Sequence, residues 1–171
     1  MEFTVSRAEL VKELSLSQGV VEKKTTIPVL SNVLIEARED EISLTTTDLE
    51  LGVRCICPAA VKKAGATTLP SRKLLDYVRL LPDADLSFKI GENHSASITC
   101  GRARTRLAGM SQEDFPELAR MPAPLAQIPA SLLGALITRT VFAISTEGSR
   151  YTLNGALVLL KPDSITMVST D

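Results

Sequence analysis

The stretch Leu30-Ser-Asn-Val-Leu-Ile-Glu-Ala-Arg-Glu-Asp-Glu-Ile-Ser-Leu-Thr-Thr-Thr-Asp48 aligns without a gap on Leu153-Asn-Gly-Ala-Leu-Val-Leu-Leu-Lys-Pro-Asp-Ser-Ile-Thr-Met-Val-Ser-Thr-Asp171, every residue lying 123 positions after its counterpart. A repeat decides architecture before any single motif does. Upstream of each copy comes the same order of elements: a short strand (Phe3 to Val5, then Gln127-Ile128), a helix, and a loop into the matched segment. A third, weaker echo begins at Thr67-Thr68-Leu69-Pro70-Ser71, a strand running into a helix, followed by strands Leu86 to Ile90 and Ser95 to Cys100. The chain therefore reads as one full unit and the start of a copy, with the full unit itself made of two similar halves.

Apolar spacing predicts three helices, each with one apolar face. Leu10, Val11 and Leu14 form the first stripe, with Ser6 and Glu9 as a capping box at its start. Leu74, Leu75, Val78 and Leu81 form the second, after Ser71 and before Pro82; Leu132, Leu133, Leu136 and Ile137 form the third. Strands alternate with period two: Ile42 and Leu44 against Ser43 and Thr45, then Val53, Cys55 and Cys57 against Arg54, with Glu39-Asp40-Glu41 as a turn. Helices on one face of antiparallel hairpins predict an α+β class. Met121-Pro-Ala-Pro-Leu-Ala126 has two prolines and no periodicity, and it reads as the connection between units.

With 171 residues and 44% hydrophobic content the chain has enough material for a buried core without metal or disulfides. Its formal charge of −1 excludes attraction to nucleic acid by bulk charge, so any such contact needs a local cation cluster or topology. The start, Met1-Glu2-Phe3-Thr4-Val5, lacks signal-peptide regions and no apolar run is long enough for a membrane helix, which gives the expectation of a cytoplasmic protein with no membrane partner. Cys55, Cys57 and Cys100 fit no disulfide framework and read as strand residues; the first two lack the further ligands zinc requires. His94, the one histidine, sits in Gly91-Glu-Asn-His, which reads as a hairpin turn, so no Ser/His or Cys/His catalytic constellation is expected. No cofactor and no metal are expected.

Several motifs together resemble the beta subunit of bacterial DNA polymerase III, the sliding-clamp family. They are Met1-Glu-Phe-Thr-Val, Ile27-Pro-Val-Leu-Ser-Asn-Val-Leu, Thr47-Asp-Leu-Glu50, Gly65-Ala-Thr-Thr-Leu-Pro-Ser-Arg-Lys73, Cys100-Gly-Arg-Ala-Arg104, Asp114-Phe-Pro116 and Arg150-Tyr-Thr-Leu-Asn-Gly155, in family order across the chain. The resemblance implies a DNA clamp fold with three such domains per protomer, closed head to tail into a homodimeric ring with helices inside. On that frame residues 1–121 are the first clamp domain, 122–126 the linker and 127–171 the start of the second. The third domain is absent, so the sequence is expected to be part of a longer protein.

The implied function is that of a non-catalytic processivity factor. It encircles duplex DNA without reading sequence and tethers the polymerase III catalytic subunit, the clamp loader, and other polymerases and repair proteins through short linear peptides. The resemblance places Lys23, Lys24, Arg72, Arg150, Tyr151 and Thr152 toward DNA, with Thr152 standing where relatives carry a second tyrosine. It places Lys73, Tyr77, Arg102, Arg104, Thr105 and Leu107 at the ring's dimer interface. Leu153 and Thr170 fall in the partner-peptide pocket. From the residues alone, Arg102, Arg104 and Arg106 alternate on one strand face, which also reads as a charged edge that blocks aggregation.

Two rival classes remain. One is a metal-dependent phosphoryl-transfer enzyme, with Asp48 and Glu50, or Asp83 and Asp85, sharing a strand face around Mg2+. The other is a generic α+β scaffold domain with no link to DNA.

Overall fold

The computed structural model describes residues 1–21, 26–118 and 122–171. The chain divides into two compact units, Met1–Ala119 and Arg120–Asp171. Among the described residues no helix is long and apolar enough to cross a membrane.

The first unit runs β1 (Glu2–Ser6), α1 (Arg7–Ser17), β2 (Asn32–Arg38), β3 (Glu41–Thr47), β4 (Gly52–Lys63), β5 (Gly65–Pro70), α2 (Ser71–Arg79), β6 (Asp85–Ile90), β7 (Ala96–Cys100) and β8 (Ala103–Leu107). Its strands form one eight-stranded sheet in the order β5-β2-β3-β4-β1-β6-β7-β8. The two expected halves are present as β1-α1-β2-β3-β4 and β5-α2-β6-β7-β8, and they exchange strands. β1 lies between the halves, pairing with β4 through Val5↔Ala59 and with β6 through Phe3↔Phe88. β5 leaves its own meander and pairs with β2, as in Leu34↔Thr68. Thr68 and Met110 then exchange two amide bonds of 3.1 Å, which brings the chain after β8 back to β5 and curls the sheet.

Alternation decides what fills the core. Phe3, Val5, Ile35, Ala37, Ile42, Leu44, Cys57, Leu86, Phe88 and Ile98 point inward from the strands, and Leu10, Leu14, Leu74, Leu75 and Val78 meet them from the helices. Each large side chain so buried contributes about 1.5–3 kcal/mol. Phe3 and Phe88 stack with centroids 4.7 Å apart at the seam between the halves.

Several sequence expectations need correction here. Ser6 does not cap α1 with its side chain. It is instead the last paired residue of β1, opposite Asp85, and the first helical amide, Arg7 N–H, donates to the Ala84 carbonyl. Glu9 turns to Lys12, at 3.7 Å. The inside-outside alternation of β3 stops at Leu44, because Thr45, Thr46 and Thr47 are all buried. Each of these hydroxyls has a partner, in Arg54 Nε, the Ser17 carbonyl and the Leu51 carbonyl, so burial leaves none of them unsatisfied.

The second unit holds α3 (Ala130–Thr140), β9 (Leu157–Leu160) and β10 (Ile165–Val168). The repeat extends to these bounds: α3 begins and ends 123 residues after α1. Ile165↔Leu160 repeats Ile42↔Ala37, and Val168↔Leu157 repeats Thr45↔Leu34, so the strand register is preserved as well. Gln127-Ile128, expected as a strand, has no strand geometry. Its counterpart β1 is held between β4 and β6, and the described residues of the second unit supply no equivalent of either. The apolar stripe of α3 is present but no residue of α3 is fully buried, with Leu132, Leu133 and Ile137 all exposed.

Candidate functional site

The helix layer of the first unit is held by one cap and two side-chain bridges between the helices. Arg7, at the start of α1, donates from Nε to the Val78 carbonyl at 3.2 Å and from Nη2 to the Arg79 carbonyl at 2.7 Å. These are last-turn carbonyls of α2, which a helix leaves without internal partners. In return Arg79 reaches Ser15 Oγ at 3.1 Å, and Gln18 Nε2 reaches Ser71 Oγ at 2.7 Å. The helices thus lie antiparallel over the sheet, and their far face carries Lys12, Arg72 and Lys73, all exposed. Lys12 is matched by Glu13 at 3.2 Å and Glu9 at 3.7 Å, and the Glu13 hydrogen bond, first among its neighbours' effects, raises its pKa. Arg72 has no ion-pair partner among the described residues and is open to a phosphate. Lys23 and Lys24 lie outside the described residues.

The second region is the sheet edge. β8 is the last strand in the order, so one side of it has no strand neighbour among the described residues. Arg104 and Arg106 are exposed on one face and Ala103, Thr105 and Leu107 half-buried on the other. Arg102 departs from the expected three-cation strand: it falls in the β7–β8 turn, beside Gly101 at φ 56°. Arg104 Nε holds Ser97 Oγ at 3.3 Å and Arg106 Nε holds Ser95 Oγ at 3.1 Å, which fixes both side chains along a shallow cleft of about 590 Å3 that also includes Lys89. On α2, Lys73 is exposed, while Tyr77, one turn on, packs with Ala103 and Leu107 against the common core.

The third region belongs to the second unit. Arg150 precedes a single 3-10 turn, Tyr151–Leu153. Its guanidinium is shared between the Glu147 carboxylate at 3.3 Å and the Asp171 carbonyl at 2.9 Å, so part of its charge is already matched. The second contact ties this turn to the residues after β10. Tyr151 is 80% exposed and Thr152 is exposed. Leu153 is half-buried, held by its amide on the Arg150 carbonyl at 2.8 Å and by its carbonyl on the Ser145 amide at 3.1 Å. Thr170 is exposed, and Ser169 before it turns inward to the Thr140 carbonyl.

The carboxylates proposed for metal chemistry are not arranged for it. Asp48 and Glu50 occupy the turn between β3 and β4, not a shared strand face. Asp48 Oδ1 accepts the amides of Leu51 at 2.6 Å and Glu50 at 2.9 Å, and the Leu51 bond chiefly holds its carboxyl below the usual carboxylate range. Asp83 likewise lies in a bend and Asp85 opens β6. The Cys57 thiol is pushed up to about 12 by burial, and the Cys55 thiol is also raised, first by burial and then by a hydrogen bond with Glu13. Both stay protonated thiols at neutral pH and behave as core residues. The cap of α2 by Arg7 and the Arg79–Ser15 bridge were not legible in sequence, where the only signal is an arginine at one end of each helix.

A family model for the DNA polymerase III beta subunit, N-terminal domain, matches residues 1–119. Over its whole length the chain is 39% identical to a beta sliding clamp of Chlamydia muridarum and 40% identical to one of Pseudomonas putida, covering 47% of each. The crystal structure of a sliding clamp (DNA polymerase III subunit beta) from Pseudomonas aeruginosa bound to griselimycin matches all of this chain and 47% of that one, with a TM-score of 0.93 at 37% identity. The DNA polymerase sliding clamp from Bacillus subtilis matches with a TM-score of 0.93 at 28% identity. The chain spans about half the length of the relatives it matches. With its two-helix layer on a curled antiparallel sheet and its match over residues 1–119, this chain belongs to the DNA polymerase III beta subunit family.

Proposed function

We propose that this chain works as part of a sliding clamp, a non-catalytic ring that encircles duplex DNA and keeps the replicative polymerase on its template. The observation that carries the reading is the repeat of one helix-on-hairpin unit at a fixed 123-residue spacing with its strand register intact. A ring of such units, joined through residues 122–126, turns its helices inward and its sheets outward. Cations on the helix face then neutralise phosphates without contacting base edges, which is what a sequence-blind slider needs. Arg72, Lys23, Lys24 and the Arg150–Thr152 turn are the DNA-facing set. Because Arg150 shares its charge with Glu147, its share of DNA affinity is the smaller.

In this reading the β8 edge, with Arg102, Arg104, Thr105 and Leu107, meets another protomer together with Lys73 and Tyr77 of α2. Leu153 and Thr170 form part of a pocket for short peptides of the polymerase III catalytic subunit, the clamp loader and repair proteins. The site of action is the cytoplasm, on bacterial DNA. The phosphoryl-transfer alternative is disfavoured because the Asp48 carboxylate is committed to two backbone amides. The test is topological. Protein expressed from its whole reading frame and loaded on nicked circular DNA is expected to stay on the circle at moderate salt and to be lost once the circle is linearised. Equal retention on both forms rules the clamp out.

A further inference from the structure

The 3-10 turn at the head of each matched segment is itself repeated, but the two copies close it differently. Leu153 N–H donates to the Arg150 carbonyl at 2.8 Å as Leu30 N–H, 123 residues earlier, donates to the Ile27 carbonyl at 3.1 Å. After the first turn stands Ser31, whose hydroxyl donates back to the Pro28 carbonyl at 2.7 Å. After the second stands Asn154, whose amide reaches further. Its Nδ2 donates to the Ser145 carbonyl at 2.9 Å and to the Glu147 carbonyl at 3.2 Å, since the opposite orientation would set the side-chain oxygen against both acceptors. Ser145 N–H in turn donates to the Leu153 carbonyl at 3.1 Å, and Arg150 N–H to the Glu147 carbonyl at 3.1 Å. One side chain thus closes the loop of residues 145–153 from its far end.

The chain has three asparagines, Asn32, Asn93 and Asn154, and of these Asn154 is the one followed by glycine. A backbone nitrogen attacks the side-chain carbonyl carbon of the asparagine before it most readily when it belongs to glycine, which has no side chain in the way and turns freely. Asn32 is buried, bonded to Thr68 Oγ1 at 3.0 Å and followed by β-branched Val33; Asn93 is followed by His94. We propose that Asn154 is a site of spontaneous deamidation and that the reaction opens the 145–153 loop. Gly155 N bonds to Asn154 Cγ, the Cγ–Nδ2 bond breaks, and Nδ2 leaves as ammonia with the proton that Gly155 N gives up. Water then opens the cyclic imide at either carbonyl, leaving aspartate or isoaspartate. Both products lose the two donors and set a carboxylate against the Ser145 and Glu147 carbonyls, which repel it. Arg150 is no ready counterion, being shared already between Glu147 and Asp171. The segment released carries Arg150, Tyr151 and Thr152. The latch also sets the pace, because Nδ2 must leave both carbonyls before Gly155 can reach Cγ, so the reaction runs in the fraction of molecules whose loop is open. Closing does not reverse the hydrolysis, and successive openings add up to a permanent mark.

The test incubates the whole chain at mildly alkaline pH in water enriched in heavy oxygen, then digests it and follows each asparagine by mass spectrometry. Asn154 is expected to convert, with heavy oxygen in the product, while Asn32 and Asn93 stay intact over the same period. The rate is expected to be about tenfold or more below that of a synthetic peptide of residues 150–158, the factor that two hydrogen bonds supply. Gly155→Ala is expected to slow the conversion severalfold and to leave the latch in place, because a Cβ there meets nothing within 4 Å and the position does not have positive φ. Asn154→Asp stands in for the product. Hydrogen exchange of the Arg150 and Leu153 amides is expected to be faster in it than in the parent at neutral pH, and the difference to close in acid, where a protonated carboxyl again donates to a carbonyl. The charged groups beside it, Glu147, Arg150 and Asp171, are common to both proteins and cancel in the comparison. Conversion of Asn154 no faster than that of Asn32 and Asn93, or a rate untouched by Gly155→Ala, overturns the site. A rate equal to that of the free peptide overturns the latch, and exchange unchanged by Asn154→Asp overturns the release of the loop.

Discussion

Arg7 does at one residue what neither helix does alone: it closes the last turn of α2 from the first turn of α1. Hydrogen bonds from a charged donor to orphan carbonyls contribute more than neutral ones, but one of these is exposed, so Arg7→Ala is expected to cost about 1–2 kcal/mol. Urea unfolding followed by circular dichroism checks this, and Arg7→Lys, with one cation and no fork, should recover only part of the loss. Asp48 supplies a second expectation, in pH. Its pKa is lowered in the folded chain by the Leu51 amide, so its contribution is present above the ordinary carboxylate value near 3.8 and fades as pH falls from there through the lowered pKa. Asp48→Ala should therefore be less stable than the parent at neutral pH, with the difference shrinking in acid. A difference that grows in acid would contradict the assignment. At this scale the sequence was least informative: Ser6 and Glu9 had the capping-box spacing, yet β1 pairing took Ser6 first. Spacing records which residues are available, and tertiary partners decide which are used.

Among elements, the edge strand β8 is the one whose chemistry and placement argue for a partner. Arg104 and Arg106 are pinned by serines of β7 and β6–β7 rather than by acids, so their charges face outward unmatched among the described residues. If β8 meets another protomer as proposed, Arg104→Glu with Arg106→Glu is expected to leave the fold intact and to weaken self-association of the protein expressed from its whole reading frame by about tenfold or more, because charge reversal at an interface turns attraction into repulsion. Analytical ultracentrifugation across a dilution series measures it; unchanged association would move the interface elsewhere. Most elements were legible because one periodicity governed each. α2 and the strands around Phe88 and Ile98 follow their patterns closely. β3 broke its pattern where α1 and the turn after β3 gave threonine hydroxyls partners on both faces. Gln127-Ile128 failed for the opposite reason, since a strand exists only through its neighbours.

For the molecule as a whole, the repeat carried the architecture, and the 123-residue spacing held through the helix and the hairpin register as well as the matched letters. It could not announce the exchange of first strands, which involves contacts across tens of residues and leaves no periodic trace. The two units should differ in protection. Amides of the eight-stranded sheet, such as those of Leu44 and Ile98, are expected to exchange with solvent orders of magnitude more slowly than those of the β9–β10 hairpin, since a two-stranded ribbon alone is marginal. Mass-resolved hydrogen exchange on this chain tests that, and uniform protection would count against it. The strand exchange has a practical reach too. Ala64 is an exposed, unpaired residue between β4 and β5, at the border of the two halves. Cleaved there, the first piece keeps β2-β3-β4-β1 as one continuous run of the sheet, whereas the second keeps β6-β7-β8 and a β5 whose strand partner β2 is on the other piece. The eight-stranded sheet is whole only when the two pieces meet, through β1 with β6 and β5 with β2, so mixing them is expected to restore it.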